Sequence, residues 1–369
     1  MRDEDAGTSG DGRPITPGDD RAAPGQWMRA AVARRWPGAG VVSIAQLRGD
    51  ASTRRFWRIA IANQSRGAPA SAIAIDLGPD DLPHYVRALK LLATPLDEPL
   101  WVNIHRLLAA SGVAVPELYA ADAAARMLLV EDVGELPLAV AAARGDAADL
   151  YRLAADQLLL IHREGARRLD ARCIASRIAY DERLFRWELE QFVELGAADV
   201  PGRFDAAAVA RELDQLAGRL GGYPRVLAHR DYHGGNLFVQ FNRAGEPLLR
   251  VIDFQDALMA PAAQDLAVLL TTRDAARIIT PTIERRVLDY YFTAYLRRDA
   301  PMALGMEDFQ ESYRLCVLQH ALKVIGRFRR LERDGKSGYA RFIPFAIAQA
   351  RRMLAGRGDF VALRRAFDE

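Results

Sequence analysis

Residues 226–256 limit the possible folds of this chain more than any other stretch, because they combine short apolar runs with acidic and amide side chains at fixed intervals. Residues 237–239 and 248–252 are β-rich runs separated by a polar turn, and such a pair predicts a β-hairpin. Asn236 lies directly before the first run, and Asp253 follows the second. Antiparallel pairing would bring these two side chains together. The hairpin therefore predicts a site formed by an amide and a carboxylate.

Asp231 lies in the glycine-containing loop that precedes the hairpin, five residues before Asn236. Phosphoryl transfer from ATP needs a carboxylate that orients the attacking hydroxyl and accepts its proton, together with oxygen ligands that hold Mg²⁺ against the phosphates. Asp231 suits the catalytic role, and the side-chain oxygens of Asn236 and Asp253 suit the metal. The alternative is a polar loop beside a hairpin, without catalytic function.

The segments HRDYHGGN and IDFQD resemble the catalytic and metal loops of the aminoglycoside phosphotransferase family, which is related to the protein kinases. The resemblance implies an α+β fold like that of the protein kinases, with two lobes. The N-terminal lobe would be small and contain an antiparallel sheet, and the C-terminal lobe would be larger and mainly helical. ATP and Mg²⁺ are the implied cofactors. We assign His229 to the support of the catalytic loop, and we expect Asp265 either to cap a helix or to steady the same loop.

The length of 369 residues exceeds that of a typical single core, which predicts more than one domain. We expect a disordered tail over 1–25, a nucleotide-binding lobe over 26–133, and a catalytic and substrate-binding lobe over 134–369. The tail is acidic, rich in glycine and proline, and poor in large apolar residues, so it can bury little surface.

The formal net charge is only +2, and basic and acidic residues are interspersed, so nucleic acid is not the expected partner. Apolar runs long enough to span a membrane are absent from the sequence, since a span needs about 18 residues or more. Cys173 and Cys316 lie far apart without a CxxC pair, which favours a reduced, cytoplasmic protein. A monomer is the default expectation, although the sequence does not determine the oligomeric state.

The N-terminal lobe is predicted to begin with a helix over 26–36. Apolar runs separated by polar turns predict an antiparallel sheet. Its strands are expected at 41–47, 55–61, 71–77, 113–119 and 127–130, with helices at 80–93 and 99–110 between the third and fourth strands.

The loop GDASTRR, between the first two strands, resembles the nucleotide-covering loop of the family. Backbone N–H groups and arginines in such a loop can contact ATP phosphates. On this basis the residues assigned to ATP are Gly49, Asp50, Ser52, Arg54 and Arg55. An ordinary β-turn is the alternative.

Asp76 occupies the third strand, where kinase-like folds usually carry a lysine that pairs with the phosphates. The chain has no lysine before Lys90. One of Arg54, Arg55 and Arg58 is therefore expected to supply the positive charge.

The segment EDVG at 131–134 resembles the family's connection between the two lobes, where backbone groups meet adenine. Glu131 and Val133 are accordingly assigned to ATP. A charged turn without contact to the nucleotide is the alternative.

The C-terminal lobe contains several amphipathic patterns that predict helices, among them 179–195, 282–297 and 308–331. Glu188 and Asp256 are candidates for contact with the substrate. For Glu188 a solvated helix face is the favoured alternative. For Asp256 a local turn hydrogen bond is favoured over contact with substrate or metal.

Three stretches, 49–55, 71–77 and 319–344, resemble the bacterial N-acetylmuramate/N-acetylglucosamine kinases of cell-wall recycling. This resemblance implies an ATP-dependent small-molecule kinase that phosphorylates the anomeric hydroxyl of N-acetylmuramate, N-acetylglucosamine or both. The alternatives are a kinase of aminoglycosides, choline-like alcohols or other hydroxyl compounds, and an inactive nucleotide-binding module. The basic face of 319–344 has a solvated helix surface as its alternative.

Overall fold

The computed structural model describes residues 24–47, 54–62, 67–79, 82–92, 97–200, 202–296 and 304–368. Most of the tail expected over 1–25 lies outside these ranges. Its last two residues do not belong to a tail, because Pro24 and Gly25 form the first turn of the first helix. Proline is well tolerated in the first turn, where its missing N–H has no intrahelical partner to lose.

Five antiparallel strands form the N-terminal sheet, in the order β1-β2-β3-β5-β4. The strands are β1 (Gly40–Leu47), β2 (Arg55–Ala62), β3 (Ser71–Asp76), β4 (Leu118–Asp122) and β5 (Met127–Glu131). The predicted antiparallel sheet is confirmed.

The fourth strand begins at Leu118, later than the predicted 113–119. Ala114 explains the difference, because its backbone groups form hydrogen bonds with residues outside the five-stranded sheet. Its N–H donates to the Gln157 side chain at 2.9 Å, and its carbonyl accepts the Val251 N–H at 2.9 Å. Pro116 then has no N–H to offer a neighbouring strand. The segment therefore links the sheet to the C-terminal part.

Strand β5 shows how the sheet divides the core. Met127 and Leu129 pack in the cluster under helix α1 (Pro24–Arg35), whereas Leu128 and Val130 point to the other face. This alternation is the period-two pattern of a strand buried on both sides. The second face packs against α3 (Leu100–Ala110), and its cluster continues into the C-terminal part. The expected boundary at 133 is thus crossed by one continuous apolar core.

The C-terminal part is mainly helical, as predicted. One further helix, α2 (His84–Ala88), belongs to the N-terminal part and lies between β3 and α3. It is shorter than the predicted 80–93 because Lys90 adopts a left-handed conformation with φ 49°. The remaining helices are α4 (Leu138–Ala142), α5 (Ala147–Leu160), α6 (Ala166–Arg168), α7 (Glu182–Gln191), α8 (Ala206–Gly222), α9 (Ala263–Thr271), α10 (Pro281–Leu296), α11 (Met306–Arg333), α12 (Ile343–Leu354) and α13 (Val361–Phe367).

Two pairs of short strands lie among these helices. Strand β6 (Arg225–Ala228) pairs antiparallel with β9 (Leu258–Pro261), and β7 (Leu237–Phe241) forms the predicted hairpin with β8 (Pro247–Val251). Leu237 lies opposite Val251 in the hairpin. The loop over 229–236, called the catalytic-loop candidate below, connects β6 to β7 and so links the two pairs of strands.

The helix predicted over 179–195 is interrupted. Helix α7 ends at Gln191 and continues as a π-helical turn over Phe192–Gly196. Helix α11 crosses this junction closely, since a Cβ atom on Gly326 would lie 2.4 Å from the carbonyl carbon of Gln191. Only glycine permits this backbone approach. The crossing sets α11 against α7 beside the cavity described below.

Across the described ranges, none of the helices is both long and apolar enough to cross a membrane.

Candidate active site

The loop between β6 and β7 is held by the carboxylate of Asp265, which lies in the first turn of α9. Its Oδ2 accepts the His229 N–H at 2.7 Å, and its Oδ1 accepts the Arg230 N–H at 2.8 Å. Asp265 is fully buried, and Arg230 has a left-handed backbone with φ 80°. Ala262 rather than Asp265 is the N-cap of α9. Of the two roles expected for Asp265, the hydrogen bonds match the steadying of the loop.

Two histidines extend this support. The His229 ring donates from Nε2 to the Ile252 carbonyl at 2.9 Å, which ties the loop to the end of β8. His162 is fully buried, with Nδ1 2.5 Å from the Tyr291 hydroxyl and Nε2 3.4 Å from Asp265 Oδ2. Both rings brace the backbone that carries Asp231.

The hairpin brings Asn236 beside Asp253, as antiparallel pairing predicts. The Ile252 N–H donates to the Asn236 carbonyl at 3.0 Å. The Asn236 amide nitrogen donates to the Asp231 carbonyl at 2.9 Å and lies 3.5 Å from Asp253 Oδ2. Asp231, Asn236 and Asp253 thus lie close together, although the hairpin separates Asp253 from the other two in the sequence. Asp253 has φ 62°, a strained conformation of the kind found at functional sites.

The donor set of Asn236 and Asp253 suits Mg²⁺, which prefers carboxylate, amide and water oxygens. The hydrogen bonds of the Asn236 side chain use its amide nitrogen, which leaves the amide oxygen for a ligand role. Asp253 Oδ1 accepts from Gln255 at 2.9 Å and lies 3.5 Å from Arg54. Within the described part of the chain there is no cluster of three or more His, Cys, Asp or Glu residues suited to a metal. Mg²⁺ usually keeps several waters and binds phosphate oxygens of the substrate beside one or two protein ligands.

Asp231 lines a cavity of about 410 Å³ between the start of α2 and the helices of the C-terminal part. Burial raises the pKa of the Asp231 carboxyl, but the positive charges of Arg230 and Lys323 outweigh burial and hold the pKa below its ordinary value. The carboxylate is therefore ionised at neutral pH. An ionised carboxylate in a cavity wall can accept a hydrogen bond, and then a proton, from a hydroxyl.

Glu188 lines the same cavity, and the solvated-face interpretation of this residue is wrong. It is only 2% exposed and lies 2.9 Å from Arg230 and 3.1 Å from Lys323. Gln319 donates to it at 3.1 Å, and the Tyr180 hydroxyl also bonds it. Burial opposes ionisation, but Lys323 and Arg230 lower the pKa of Glu188 to about 2. Glu188 thus fixes two cations of the cavity, Arg230 and Lys323.

Asp256 also lines the cavity, and its hydrogen bond is not the local turn bond that was expected. Arg230 Nη1 donates to it at 3.3 Å across the cavity wall. Burial, together with the negative charges of Asp231 and Asp253, raises the pKa of Asp256 to about 6 despite Arg230. Arg230 therefore joins Glu188 to Asp256, with its guanidinium 4.0 Å from the centre of the Tyr85 ring.

One face of α11 supplies cavity residues that the sequence pattern did not identify. His320, Lys323 and Arg327 line the cavity, and they recur at helical spacing. The basic face within 319–344 is therefore not only solvated surface, because Lys323 pairs with Glu188. The helical spacing of these three residues is visible in the sequence. Only the packing of α11 on α7 shows that their face of the helix borders the cavity.

His233 and Asp274 form another pair that was not predicted. Their side chains are 2.9 Å apart, and both line the cavity. The hydrogen bond from His233 lowers the pKa of Asp274, although burial opposes this. The pair links the catalytic-loop candidate to the segment after α9.

The nucleotide candidates of the N-terminal lobe are only partly described. Gly49, Asp50 and Ser52 lie outside the described residues. Arg54 lies 3.5 Å from Asp253, which brings one predicted phosphate contact to the metal candidate. Arg55 instead pairs with Asp76 at 2.5 Å.

Asp76 itself is 4% exposed and also accepts the Gly78 N–H at 2.8 Å. Its contacts hold strands β2 and β3 together at the position of the missing lysine. Arg58 pairs with Asp132 at 2.7 Å and with Glu135, so its charge is directed to the connection between the lobes. Among the three arginines, Arg54 is the one placed beside the metal candidate.

At the predicted adenine contact, Glu131 already has partners. Its N–H donates to the Glu117 carbonyl at 2.9 Å, and its carboxylate accepts from Arg250 at 3.1 Å. The Val133 carbonyl lies 3.4 Å from the Gln240 amide. The assignment of both residues to ATP stays a prediction.

Comparison with known proteins bears directly on this site. Residues 43–304 match the model of the phosphotransferase enzyme family abbreviated APH, a range that includes Asp231, Asn236 and Asp253. The chain belongs to this family. Phosphotransferase chemistry, and ATP use as the family implies it, follow from this membership.

Two curated relatives of this phosphotransferase are named N-acetylmuramate/N-acetylglucosamine kinase. The protein from Caulobacter vibrioides is 34% identical over 324 residues, which cover 83% of this chain and 86% of the relative. The protein from Pseudomonas aeruginosa is 29% identical over 343 residues, which cover 90% and 91%. The similarity thus extends over both the sheet and the helical part.

Solved structures show the fold of this phosphotransferase. A choline kinase from Streptococcus pneumoniae is 16% identical with a TM-score of 0.54, covering 88% of this chain and 98% of the other. A choline kinase from Cryptosporidium parvum is 13% identical with a TM-score of 0.57, covering 89% and 94%. The predicted kinase-like fold, with a small sheet-containing part and a larger helical part, is confirmed.

Proposed function

We propose that this phosphotransferase transfers the γ-phosphoryl group of ATP to the anomeric hydroxyl of N-acetylmuramate or N-acetylglucosamine, giving a sugar 1-phosphate. The observation that carries the proposal is the position of Asp231. It is ionised, it lines a cavity of about 410 Å³, and its loop is bonded to Asn236 beside Asp253. Cavities of this size accept small ligands. The names of the curated relatives support an amino sugar as the acceptor.

In the proposed mechanism Asp231 accepts a hydrogen bond from the sugar hydroxyl and takes its proton as the new O–P bond forms. An anomeric hydroxyl is more acidic than an ordinary alcohol, so a single carboxylate suffices. Asn236 and Asp253 would hold Mg²⁺. When bound, ATP would supply the phosphoryl group and leave as ADP, and Mg²⁺ would neutralise the charge that develops during the transfer. Lys323 and Arg230 keep Asp231 ionised between turnovers.

The charge of the cavity bears on the alternative acceptors. The cations Arg230, Arg273, Lys323 and Arg327 line it together with the acids Glu188, Asp231, Asp256 and Asp274. This mixed lining is not the concentrated acidic wall that would favour a polycationic aminoglycoside. An inactive nucleotide-binding module has no need of an ionised Asp231 beside an amide and a carboxylate. We place the reaction in the cytoplasm, where ATP is available and free thiols such as the buried Cys173 and Cys316 persist.

The deciding experiment compares N-acetylglucosamine with its 1-O-methyl glycoside, which differ only in whether the anomeric hydroxyl is free. We expect ATP-dependent formation of a 1-phosphate from the free sugar, identified by ³¹P and ¹H NMR, and none from the glycoside. Equal phosphorylation of both compounds would reject the anomeric assignment. A panel with aminoglycosides and choline in the same assay tests the alternative acceptors, and Asp231→Asn serves as the inactive control.

A further inference from the structure

The outer wall of the cavity carries positive charge that the proposed phosphoryl transfer does not use. Four cations line the cavity, but two of them are engaged near Asp231. Arg230 pairs with Glu188 and Asp256, and Lys323 pairs with Glu188. The other two, Arg273 and Arg327, lie on the remaining wall.

Arg327 is exposed, and among the described residues it has neither a hydrogen bond nor an ion pair. It follows Lys323 by four positions on α11, so the two side chains lie on the same face about 6 Å apart along the helix axis. Lys323 is close enough to Asp231 to influence its charge state. Arg327 is therefore one helical turn farther from the predicted reacting hydroxyl.

Arg273 approaches the same wall from the segment after α9 and is held in a fixed position. Its guanidinium lies 4.9 Å from the centre of the Phe342 ring and 5.8 Å from that of Phe328. The acidic side chain beside it, Asp274, lies 3.7 Å away and is itself hydrogen-bonded by His233. Aromatic contacts of this kind orient a guanidinium without removing its charge.

We propose that Arg327 and Arg273 form a subsite for the carboxylate of an acidic amino sugar. The subsite would favour N-acetylmuramate, which carries a lactyl ether at C3, over neutral N-acetylglucosamine. The proposal deepens the proposed function and rests on it. A carboxylate is matched by the planar guanidinium group, which donates two parallel hydrogen bonds. The aromatic rings of Trp187, Phe342 and Phe345 in the same cavity offer apolar surface to the sugar ring.

The geometry separates the two ends of the acceptor. Asp231 receives the hydroxyl at C1, and the charged substituent at C3 extends along α11 toward Arg327. N-acetylglucosamine has only a hydroxyl at C3, so it gains nothing from a guanidinium there. Removing the charge of Arg327 should consequently affect one sugar and spare the other.

The test measures kcat and KM for both sugars with the wild type, Arg327→Gln and Arg327→Lys. For Arg327→Gln we expect the KM for N-acetylmuramate to rise about tenfold or more, which corresponds to about 1.4 kcal/mol. Its kinetics with N-acetylglucosamine should change by less than about twofold, and Arg327→Lys should recover part of the loss since it keeps the charge. Arg333→Gln is the matched control, because Arg333 is an exposed arginine of the same helix outside the cavity.

Each outcome has a distinct meaning. No turnover of either sugar by the wild type rejects the proposed function, and the subsite with it. If the wild type turns over both sugars, two results reject the subsite alone. In one, Arg327→Gln raises the KM for both sugars equally; in the other, it leaves the KM for N-acetylmuramate unchanged. Thermal unfolding of each variant separates a folding defect from a binding defect. The variants Arg273→Gln and Arg273→Lys repeat the comparison at the second arginine of the subsite.

Discussion

Substitution of Asp265 by Asn tests how strongly the catalytic-loop candidate depends on one buried carboxylate. The two oxygens of Asp265 accept the backbone N–H groups of His229 and Arg230 at 2.7 and 2.8 Å. Asparagine has the same size but offers only one acceptor oxygen. Its NH₂ group would face the other backbone N–H, so one buried donor would lose its partner.

The cost follows from the geometry. A hydrogen bond to a charged group contributes roughly 1.5–3 kcal/mol, and a buried donor without a partner costs about 1–3 kcal/mol. Because one bond is lost and the other becomes neutral, we expect Asp265→Asn to lower the free energy of unfolding by about 2–4 kcal/mol. The loop would also shift, and a misplacement of about 1 Å can lower turnover by roughly 100-fold. We therefore expect kcat to fall more than the KM for ATP changes.

Urea unfolding followed by tryptophan fluorescence measures the first effect, and steady-state kinetics measure the second. Asp289→Asn on α10 is the control, since Asp289 is exposed and should change the unfolding free energy by less than about 0.5 kcal/mol. If Asp265→Asn matched this control in stability and retained wild-type kcat, the two hydrogen bonds would not be what holds the loop.

Substitution of Asp231 by Asn should lower kcat by about 10² or more while ATP binding persists, as calorimetry can check, and near-normal turnover would reject Asp231 as the base. Asp253→Ala should abolish most turnover even at saturating ATP and should shift the Mg²⁺ dependence of the remaining turnover. An unchanged Mg²⁺ dependence would mean that the hairpin has only a structural role. Arg54→Ala should raise the KM for ATP and Lys90→Ala should not; the reverse ranking would place the phosphate contact elsewhere. Asp256 has a pKa raised to about 6, so its protonated form is favoured in the folded protein, and stability is lost as pH rises through that value. Asp256→Asn should therefore gain stability relative to the wild type between about pH 4 and pH 7, and urea curves whose separation does not widen with pH would contradict this.

The sequence predicted the parts of the site that depend on local pattern. Apolar runs and a polar turn were sufficient for the hairpin, and the hairpin brought Asn236 to Asp253. The environment of Glu188 could not be predicted in this way. Its helix alone presents a charged face, and only the crossing of α11 encloses that side chain with Lys323 and Gln319.

The same reason explains the other differences. Asp256 meets Arg230 because two loops converge, and no local pattern encodes that contact. The late start of β4 depends on bonds from Ala114 to Gln157 and Val251, which lie far away in the sequence. Contacts within a hairpin follow from spacing, whereas contacts between elements follow from packing.

The close crossing at Gly326 has a consequence for how acceptor choice can change. Position 326 lies against the backbone of α7, and a helix so seated cannot roll without a backbone collision. The cavity face of α11 is consequently fixed, and a neighbour such as Arg327 can be exchanged without moving Lys323 or the carboxylate that it holds. Diversification of acceptors, whether by evolution or in the laboratory, can thus proceed one turn away from the reacting groups while the geometry at Asp231 is preserved.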